Sequence, residues 1–113
     1  YIHVSDLAAA HVKAMEYVMN ERQNLTLNLA TGVGYSVLDV IHHAREITGE
    51  VINYEITDRR PGDPNELTAI SRLAADKINW GCEYSNIQTI LESAWNVYKN
   101  KKQPINVENS LFY

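Results

Sequence analysis

The strongest constraint on the fold is an apolar stripe near the end of the chain. Apolar residues recur there at every third or fourth position, which is the spacing of one helix face. The stripe consists of Ile87, Ile90, Leu91, Ala94, Trp95 and Tyr98. A helix with such a face must bury it against another element. The sequence therefore predicts a final helix that packs within a larger core.

Polar capping residues mark the boundaries of the other predicted helices. Ser5 and Asp6 are typical of a helix N-terminus, and they precede apolar residues at helical spacing over 7–19. Ser36 and Asp39 form an acidic variant of the capping box and open a second helix. The remaining predicted boundaries are Gly49 after the second helix, Ser71 and Gly81 around the third, and Pro104 after the fourth.

Short extended runs alternate with these helices. The predicted strands are residues 1–4, 25–29 and 51–57, with a further short segment at 68–70. Alternating helices and strands indicate an α/β class, here in an α+β-like form. Because the strands are few and short, the chain is predicted to be a small lobe and not a complete doubly wound sheet.

Length and charge narrow the class of protein. A chain of 113 residues suffices for one modest domain. Its formal net charge of −4 argues against a nucleic-acid partner, since phosphate binding needs a clustered positive face. No apolar run approaches the roughly 20 residues that span a bilayer, and the single Cys82 suits a reducing compartment. We expect a cytoplasmic protein. Because the chain begins at Tyr1 in a strand-like run, we also expect it to be a piece of a longer protein.

The pattern Gly32-x-Gly34 before a predicted helix resembles half of a dinucleotide-binding fingerprint. Glycines at such a turn let backbone N–H groups approach a phosphate. The third glycine position holds Val37, so we interpret the segment as a turn and predict no cofactor-binding residue in this chain.

Two other chemically suggestive patterns are interpreted as structural. Tyr98 and Lys102 have the spacing of a catalytic Tyr-x-x-x-Lys pair, but the two residues end the last predicted helix and Tyr98 belongs to its apolar stripe. His42 and His43 are adjacent on a helix, and their side chains therefore point about 100° apart. We predict neither a catalytic residue nor a metal site in this chain.

Chemistry concentrates in the loop that follows residue 58. Arg59 and Arg60 offer planar forks that match phosphate oxygens, while Pro61 and Gly62 sharpen the turn so that Asp63 can project beside them. An arginine with a carboxylate suits a nucleoside diphosphate. From composition alone, a solvated turn with a local Arg–Asp pair remains the alternative.

Several segments together resemble the C-terminal part of nucleotide-sugar epimerases, most closely the UDP-glucose 4-epimerases. These belong to the extended short-chain dehydrogenase/reductase family, also called the NAD-dependent epimerase/dehydratase family. The matching segments occur in family order over about residues 1–100. They are Tyr1-Ile2-His3-Val4-Ser5-Asp6-Leu7, Asn28-Leu29-Ala30-Thr31-Gly32-Val33-Gly34, Arg59-Arg60-Pro61-Gly62-Asp63, and the helices at 75–80 and 90–95.

The resemblance implies a two-part enzyme. In this family an N-terminal Rossmann domain binds NAD, and a smaller C-terminal lobe binds the UDP-sugar. UDP-glucose and UDP-galactose are interconverted by transient oxidation at C4, and the intact enzyme is expected to be a homodimer. Residues 1–102 are expected to form the substrate-binding lobe, with 103–113 as a tail.

The resemblance also assigns site residues. Arg60 would contact the diphosphate and Asp63 the ribose, with Pro61 and Gly62 shaping the loop and Leu67 lying near the sugar. NAD would be held by the domain that this chain lacks, so the chain alone is expected to be inactive. The resemblance places a second phosphate-binding arginine just before Tyr1, outside this chain, so half of the phosphate clamp is missing and the chain is expected to bind UDP-sugars weakly. It is also expected to self-associate through the exposed helix at 7–19. Two alternatives remain open, namely the equivalent lobe of a nucleotide-sugar dehydratase or decarboxylase, and a stand-alone binding module.

Overall fold

The computed structural model describes residues 1–62, 64 and 66–100. Within these residues the chain forms helices joined by extended segments and turns. The helices are α1 (Val4–Glu21), α2 (Val37–Thr48), α3 (Arg72–Ile78) and α4 (Ile87–Asn100). They pack as two pairs, α1 with α3 and α2 with α4. None of these helices is long and apolar enough to span a membrane, as far as the described residues go.

The first helix begins earlier than its sequence predicts. His3 is the N-cap of α1, and its Nδ1 accepts a hydrogen bond from the backbone N–H of Ser5 at 3.1 Å. The prediction that Ser5 is the N-cap is therefore wrong, because an imidazole nitrogen takes the role that a hydroxyl or carboxylate usually fills. Asp6 does lie in the first turn, as predicted. The strand predicted at 1–4 is also wrong at its end, since Val4 is already helical.

The capping box of α2 is confirmed. The Ser36 hydroxyl accepts from the Asp39 N–H at 3.1 Å, and the Asp39 carboxylate accepts from the Ser36 N–H at 2.8 Å. Gly49 ends the helix at φ 69°, and its N–H donates to the carbonyl of Arg45. A left-handed backbone of this kind favours glycine.

The third helix is short, and Ser71 does not cap it through its side chain. Its hydroxyl instead donates to the carbonyl of Ala30 at 2.7 Å, which joins the start of α3 to a distant extended segment. Ser71 therefore occupies the predicted N-cap position without a side-chain cap bond, and the helix ends before Gly81 as predicted, with Asn79 in the left-handed region. The predicted boundary at Pro104 lies outside the described residues.

The apolar stripe of α4 faces α2, as predicted for a helix that must pack. Ile87 is buried, and Ile90, Leu91 and Trp95 are half-buried. Tyr98 continues the stripe at the exposed end of the helix, where its ring stacks on Trp95 with the centroids 5.6 Å apart.

The described residues contain no β-strand, so the strands predicted at 1–4, 25–29, 51–57 and 68–70 are not formed there. The alternation at 25–29 is nevertheless real. Leu25, Leu27 and Leu29 are half-buried against the core, while Thr26 and Asn28 are exposed. Burial on one face follows from the alternating sequence, whereas a strand also needs a second backbone to pair with.

The core itself is small. It consists of Ala10 from α1, Ala74 and Ile78 from α3, and Trp80. The Trp80 indole N–H donates to the backbone carbonyl of Asp6 at 2.9 Å, so the largest core side chain is also satisfied as a hydrogen-bond donor.

Candidate functional site

A cleft of about 630 Å³ opens beside the start of α2. Three stretches of chain line it: the first residue, the turn that leads into α2, and the segment that follows the arginine loop. The lining residues are Tyr1, Val33, Gly34, Tyr35, Ser36, Val37, Glu66, Leu67 and Thr68. Leu67 is the residue that sequence reasoning placed near a sugar. A cleft of this volume is of the size that holds small-molecule ligands.

Gly34 lets two walls of the cleft come together. A Cβ built at this position would lie 3.0 Å from Thr68 Cγ2, which is closer than ordinary van der Waals contact. A larger residue at 34 would therefore require the Thr68 side chain to give way by a few tenths of an ångström. The glycine allows close packing between the turn and Thr68 here.

The first turn of α2 forms one wall of the cleft and carries its clearest electrostatic feature. Hydrogen bonds from the Ser36 hydroxyl and backbone N–H hold the pKa of Asp39 below its usual value, with a smaller contribution from the nearby His43 and His42. The carboxylate therefore stays ionised at the positive end of the helix dipole. Ser36 both caps the helix and lines the cleft.

The arginine loop is exposed and does not line this cleft. Arg60, Pro61 and Gly62 are all exposed, and Gly62 adopts φ 91°, where a left-handed turn favours glycine. Arg59 reaches across the turn, its Nη2 donating to the carbonyl of Pro64 at 3.0 Å. The predicted ribose contact Asp63 lies outside the described residues.

Leu67 connects the arginine loop to the cleft. Its side chain is 87% exposed and borders both this cleft and a smaller cavity of about 220 Å³ beside Thr31 and Gly32. Of the five predicted site residues, Leu67 is thus brought to the cleft, Arg60, Pro61 and Gly62 lie outside it, and Asp63 is not described.

Of the residues that line the cleft, the sequence predicted only Leu67 as a site residue, and three of the others show why. Tyr1 was interpreted as the start of a strand and Ser36 as a helix cap, while Thr68 was assigned to a short linking segment. The signal for Tyr1 was its place in the first segment that resembles the epimerases. The signal for Thr68 was its position next to Leu67. Ser36 carried no separate signal, because a capping serine is explained by the helix alone.

No family model matches this chain. It is, however, 41% identical over 109 residues to a UDP-glucose 4-epimerase from Halalkalibacterium halodurans, a match that covers 96% of this chain and 33% of that protein. The fold agrees as well. The UDP-glucose 4-epimerase from Stenotrophomonas maltophila superposes with a TM-score of 0.83 at 33% identity, covering 90% of this chain and 30% of that one.

The chain belongs to the UDP-glucose 4-epimerase family. It spans about a third of the length of the curated relatives that it matches and corresponds to their C-terminal part. The predicted class, the C-terminal lobe of an extended short-chain dehydrogenase/reductase, is thereby confirmed, although the few short strands that the α/β prediction included are not formed in the described residues.

Two solved epimerases of this family carry ligands. The Stenotrophomonas maltophila enzyme contains NAD and formylated UDP-arabinopyranose. The enzyme from Bifidobacterium longum contains NAD⁺ and UDP, and it superposes on this chain with a TM-score of 0.76 at 35% identity over 90% of this chain and 30% of its own. In this chain, the described residues bring no group of three or more potential metal ligands together.

Proposed function

We propose that this chain is the nucleotide-sugar-binding lobe of an epimerase that interconverts UDP-glucose and UDP-galactose. The observation that carries the proposal is the lining of the cleft by Leu67 in a chain of the UDP-glucose 4-epimerase family. Solved members of that family hold UDP or a UDP-sugar. The lobe comprises residues 1–102, and residues 103–113 form a tail.

The arginine loop supplies the contacts to the nucleotide. Arg60 binds the diphosphate, because a guanidinium fork donates two parallel hydrogen bonds to phosphate oxygens. Asp63 accepts hydrogen bonds from the ribose hydroxyls, and Pro61 and Gly62 set the turn between the two. Leu67 lies against the sugar, where its exposed apolar side chain would be covered by the ligand.

The cofactor is held outside this chain. NAD supplies the transient removal and return of hydride at C4 of the sugar. The glycine turn at 32–34 lacks the third glycine of a dinucleotide fingerprint, because that position holds Val37. This chain therefore binds and orients the nucleotide sugar, and turnover requires the remainder of a longer protein.

Backbone amide shifts of the ¹⁵N-labelled chain during a UDP titration test the proposal. The expected shifts lie in the described residues of the arginine loop, at Leu67 and Thr68, and at the start of α2. Binding is expected to be weak, with a dissociation constant on the order of 1 mM, because the chain holds one part of the phosphate clamp. Uridine, which lacks the phosphates, should leave the arginine loop unshifted.

A matched pair of variants assigns the phosphate contact. Arg60→Gln should weaken UDP binding about tenfold, the effect of losing a charge-assisted hydrogen bond. Arg72→Gln removes an exposed arginine that does not line the cleft and should leave the affinity unchanged. Shifts confined to surfaces away from the loop and the cleft, or equal weakening by both variants, would count against a nucleotide-binding role.

The same proposal includes the assembly and location of the protein. The intact enzyme is a homodimer in the cytoplasm, and the isolated chain self-associates through the exposed face of α1. Large exposed apolar side chains on that face support the self-association of the isolated chain. The exposed Cys82 has no second cysteine in the chain to pair with, which suits a reducing compartment.

A further inference from the structure

A buried carboxylate ties the start of α1 to the loop before α4. Asp6 is 3% exposed, and its carboxylate accepts the backbone N–H groups of Glu83 at 3.2 Å and Tyr84 at 3.0 Å, together with the hydroxyl of Ser85. Three donors satisfy the charge where water cannot reach it. We call this cluster the Asp6 network and define it by four side chains: His3, Asp6, Ser85 and Ser93.

His3 extends the network to α4. Its backbone N–H donates to the Ser85 hydroxyl at 2.9 Å, and its Nε2 lies 3.0 Å from the Ser93 hydroxyl. Because Nδ1 must accept from the Ser5 N–H, the neutral imidazole carries its proton on Nε2 and donates it to Ser93. Ser93 in turn donates to the carbonyl of Ile90 within α4. Every donor in this chain of contacts therefore has an acceptor.

The network lies where the two helix pairs meet. α1 packs on α3 and α2 packs on α4, and across the described residues neither helix of one pair packs directly on a helix of the other. Hydrogen bonds join His3 and Asp6, at the start of α1, to Ser93 in α4 and to the 83–85 loop that leads into α4.

The cleft lies between the residue that leads into α1 and the start of α2, and residues 66–68 also line it. Tyr1, two residues before His3, forms one wall, and the first turn of α2 forms another. A rotation of one pair against the other would move these walls apart, and the hydrogen bonds of His3 and Asp6 oppose such a rotation.

We propose that the Asp6 network is a positioning device that fixes the angle between the two helix pairs and thereby the width of the cleft between Tyr1 and α2. Its residues do not themselves line the cleft. The consequence for ligand affinity rests on the function proposed above, whereas the consequence for geometry does not.

Two variants cut the network without removing its buried charge. Ser93→Ala deletes the hydroxyl that His3 reaches on α4. His3→Asn retains a side-chain oxygen that can cap α1, since asparagine is a favoured N-cap, but it is too short to reach Ser93. Thr89→Ala is the matched control: it deletes a hydroxyl one turn earlier on α4, where the backbone N–H, not the side chain, bonds to Asn86.

Spin-label distances measure the angle between the pairs directly. Labels at Glu16→Cys on α1 and His42→Cys on α2, both exposed positions, report across the two pairs in a Cys82→Ser background. Dilution with unlabelled chain removes distances between molecules. We expect a narrow distribution in the parent and the Thr89→Ala control, and a broader or displaced one in Ser93→Ala and His3→Asn. Unchanged distributions in both network variants would overturn the proposal.

Two further readouts separate this result from simple unfolding and from the ligand question. Far-UV circular dichroism should show parental helix content in Ser93→Ala; if His3→Asn loses helix, Ser93→Ala alone decides the outcome. If the parent binds UDP, the network variants should bind it about fivefold more weakly, with the double variant no weaker than either single one. If the parent does not bind UDP, the proposed function fails, and the distances still decide whether the network positions the helix pairs.

Discussion

At the scale of single residues, Asp6 shows how little of a site can be inferred from local sequence. Its neighbours make it resemble a first-turn acid, yet its carboxylate is buried and bonded to residues up to 79 positions away. Burial raises the pKa of Asp6, but the hydrogen bonds from Ser85, Tyr84 and Glu83 together lower it by more, so the net pKa lies below its usual value. Only the folded chain brings these donors together.

Replacing Asp6 by asparagine tests the energetic importance of this carboxylate. Asp6→Asn should lower the free energy of unfolding by about 2–3 kcal/mol at neutral pH, because an amide cannot accept all three hydrogen bonds as a carboxylate does. Urea unfolding followed by circular dichroism measures the difference. Asp76→Asn, on the exposed surface of α3, is the control and should change stability by less than about 0.5 kcal/mol.

The difference in stability between the parent chain and Asp6→Asn should depend on pH, and the direction of this dependence follows from the pKa of Asp6. Because the pKa of Asp6 is lowered in the folded chain, its ionised form contributes stability that is fully present above the unfolded value of about 3.9. That contribution is lost as pH falls through the folded value. The gap between parent and Asp6→Asn should therefore shrink toward about pH 3, and a gap that stays constant over this range would contradict the assignment.

At the scale of elements, the sequence predicts helices whose ends are set by neighbouring residues. It does not predict whether an extended segment finds a second segment to pair with. α2 was predicted with its capping box and terminal glycine, because both ends are determined by residues within the helix or next to it. The segment at 25–29 was predicted as a strand from its alternation, and one face is half-buried as expected. The hydrogen bonds that would make this segment a β-strand are absent from the described residues, because they require a second extended backbone.

The cleft follows the same rule. Leu67 was predicted from family resemblance, and it does line the cleft. Tyr1 and Thr68 were not predicted, because their place in the cleft depends on how Gly34 brings distant segments together. The geometry of the arginine loop could not be derived from its composition, since an exposed turn is shaped as much by its ligand as by its own residues.

The Ser36 cap gives an element-scale prediction. Ser36→Ala removes the acceptor for the Asp39 N–H and the donor to its carboxylate, and should lower the free energy of unfolding by about 1 kcal/mol. Ser36→Thr keeps a hydroxyl at the same place and should lose less than half as much. Chemical denaturation of both variants checks this, and equal losses would show that the hydroxyl is not what holds the helix start.

At the scale of the whole molecule, the unusual feature is the second apolar face of α1. One face, with Ala10, packs on the core, whereas several large apolar side chains on another face are exposed. They are Val4, Leu7, Val12, Met15, Val18 and Met19, with exposures between 40% and 73%. At about 100° per residue these positions fall within an arc of about 140°, which is one broad face of the helix. A stripe of this length is the signature of a surface that another chain or domain covers.

Self-association of the isolated chain is the prediction that follows from this stripe. In sedimentation equilibrium the parent chain should form oligomers whose fraction rises with concentration, because burying Met15 and Met19 against a second copy removes apolar area from water. Met15→Glu with Met19→Glu should shift the chain toward monomer, since a charge at each site opposes burial. Asn20→Glu adds a charge on the polar side of the same helix and should leave the association unchanged. A parent chain that remains monomeric at every concentration would show that the stripe does not drive assembly by itself. In that case we would expect the stripe to be buried by other parts of the longer protein and not by a second copy of this chain.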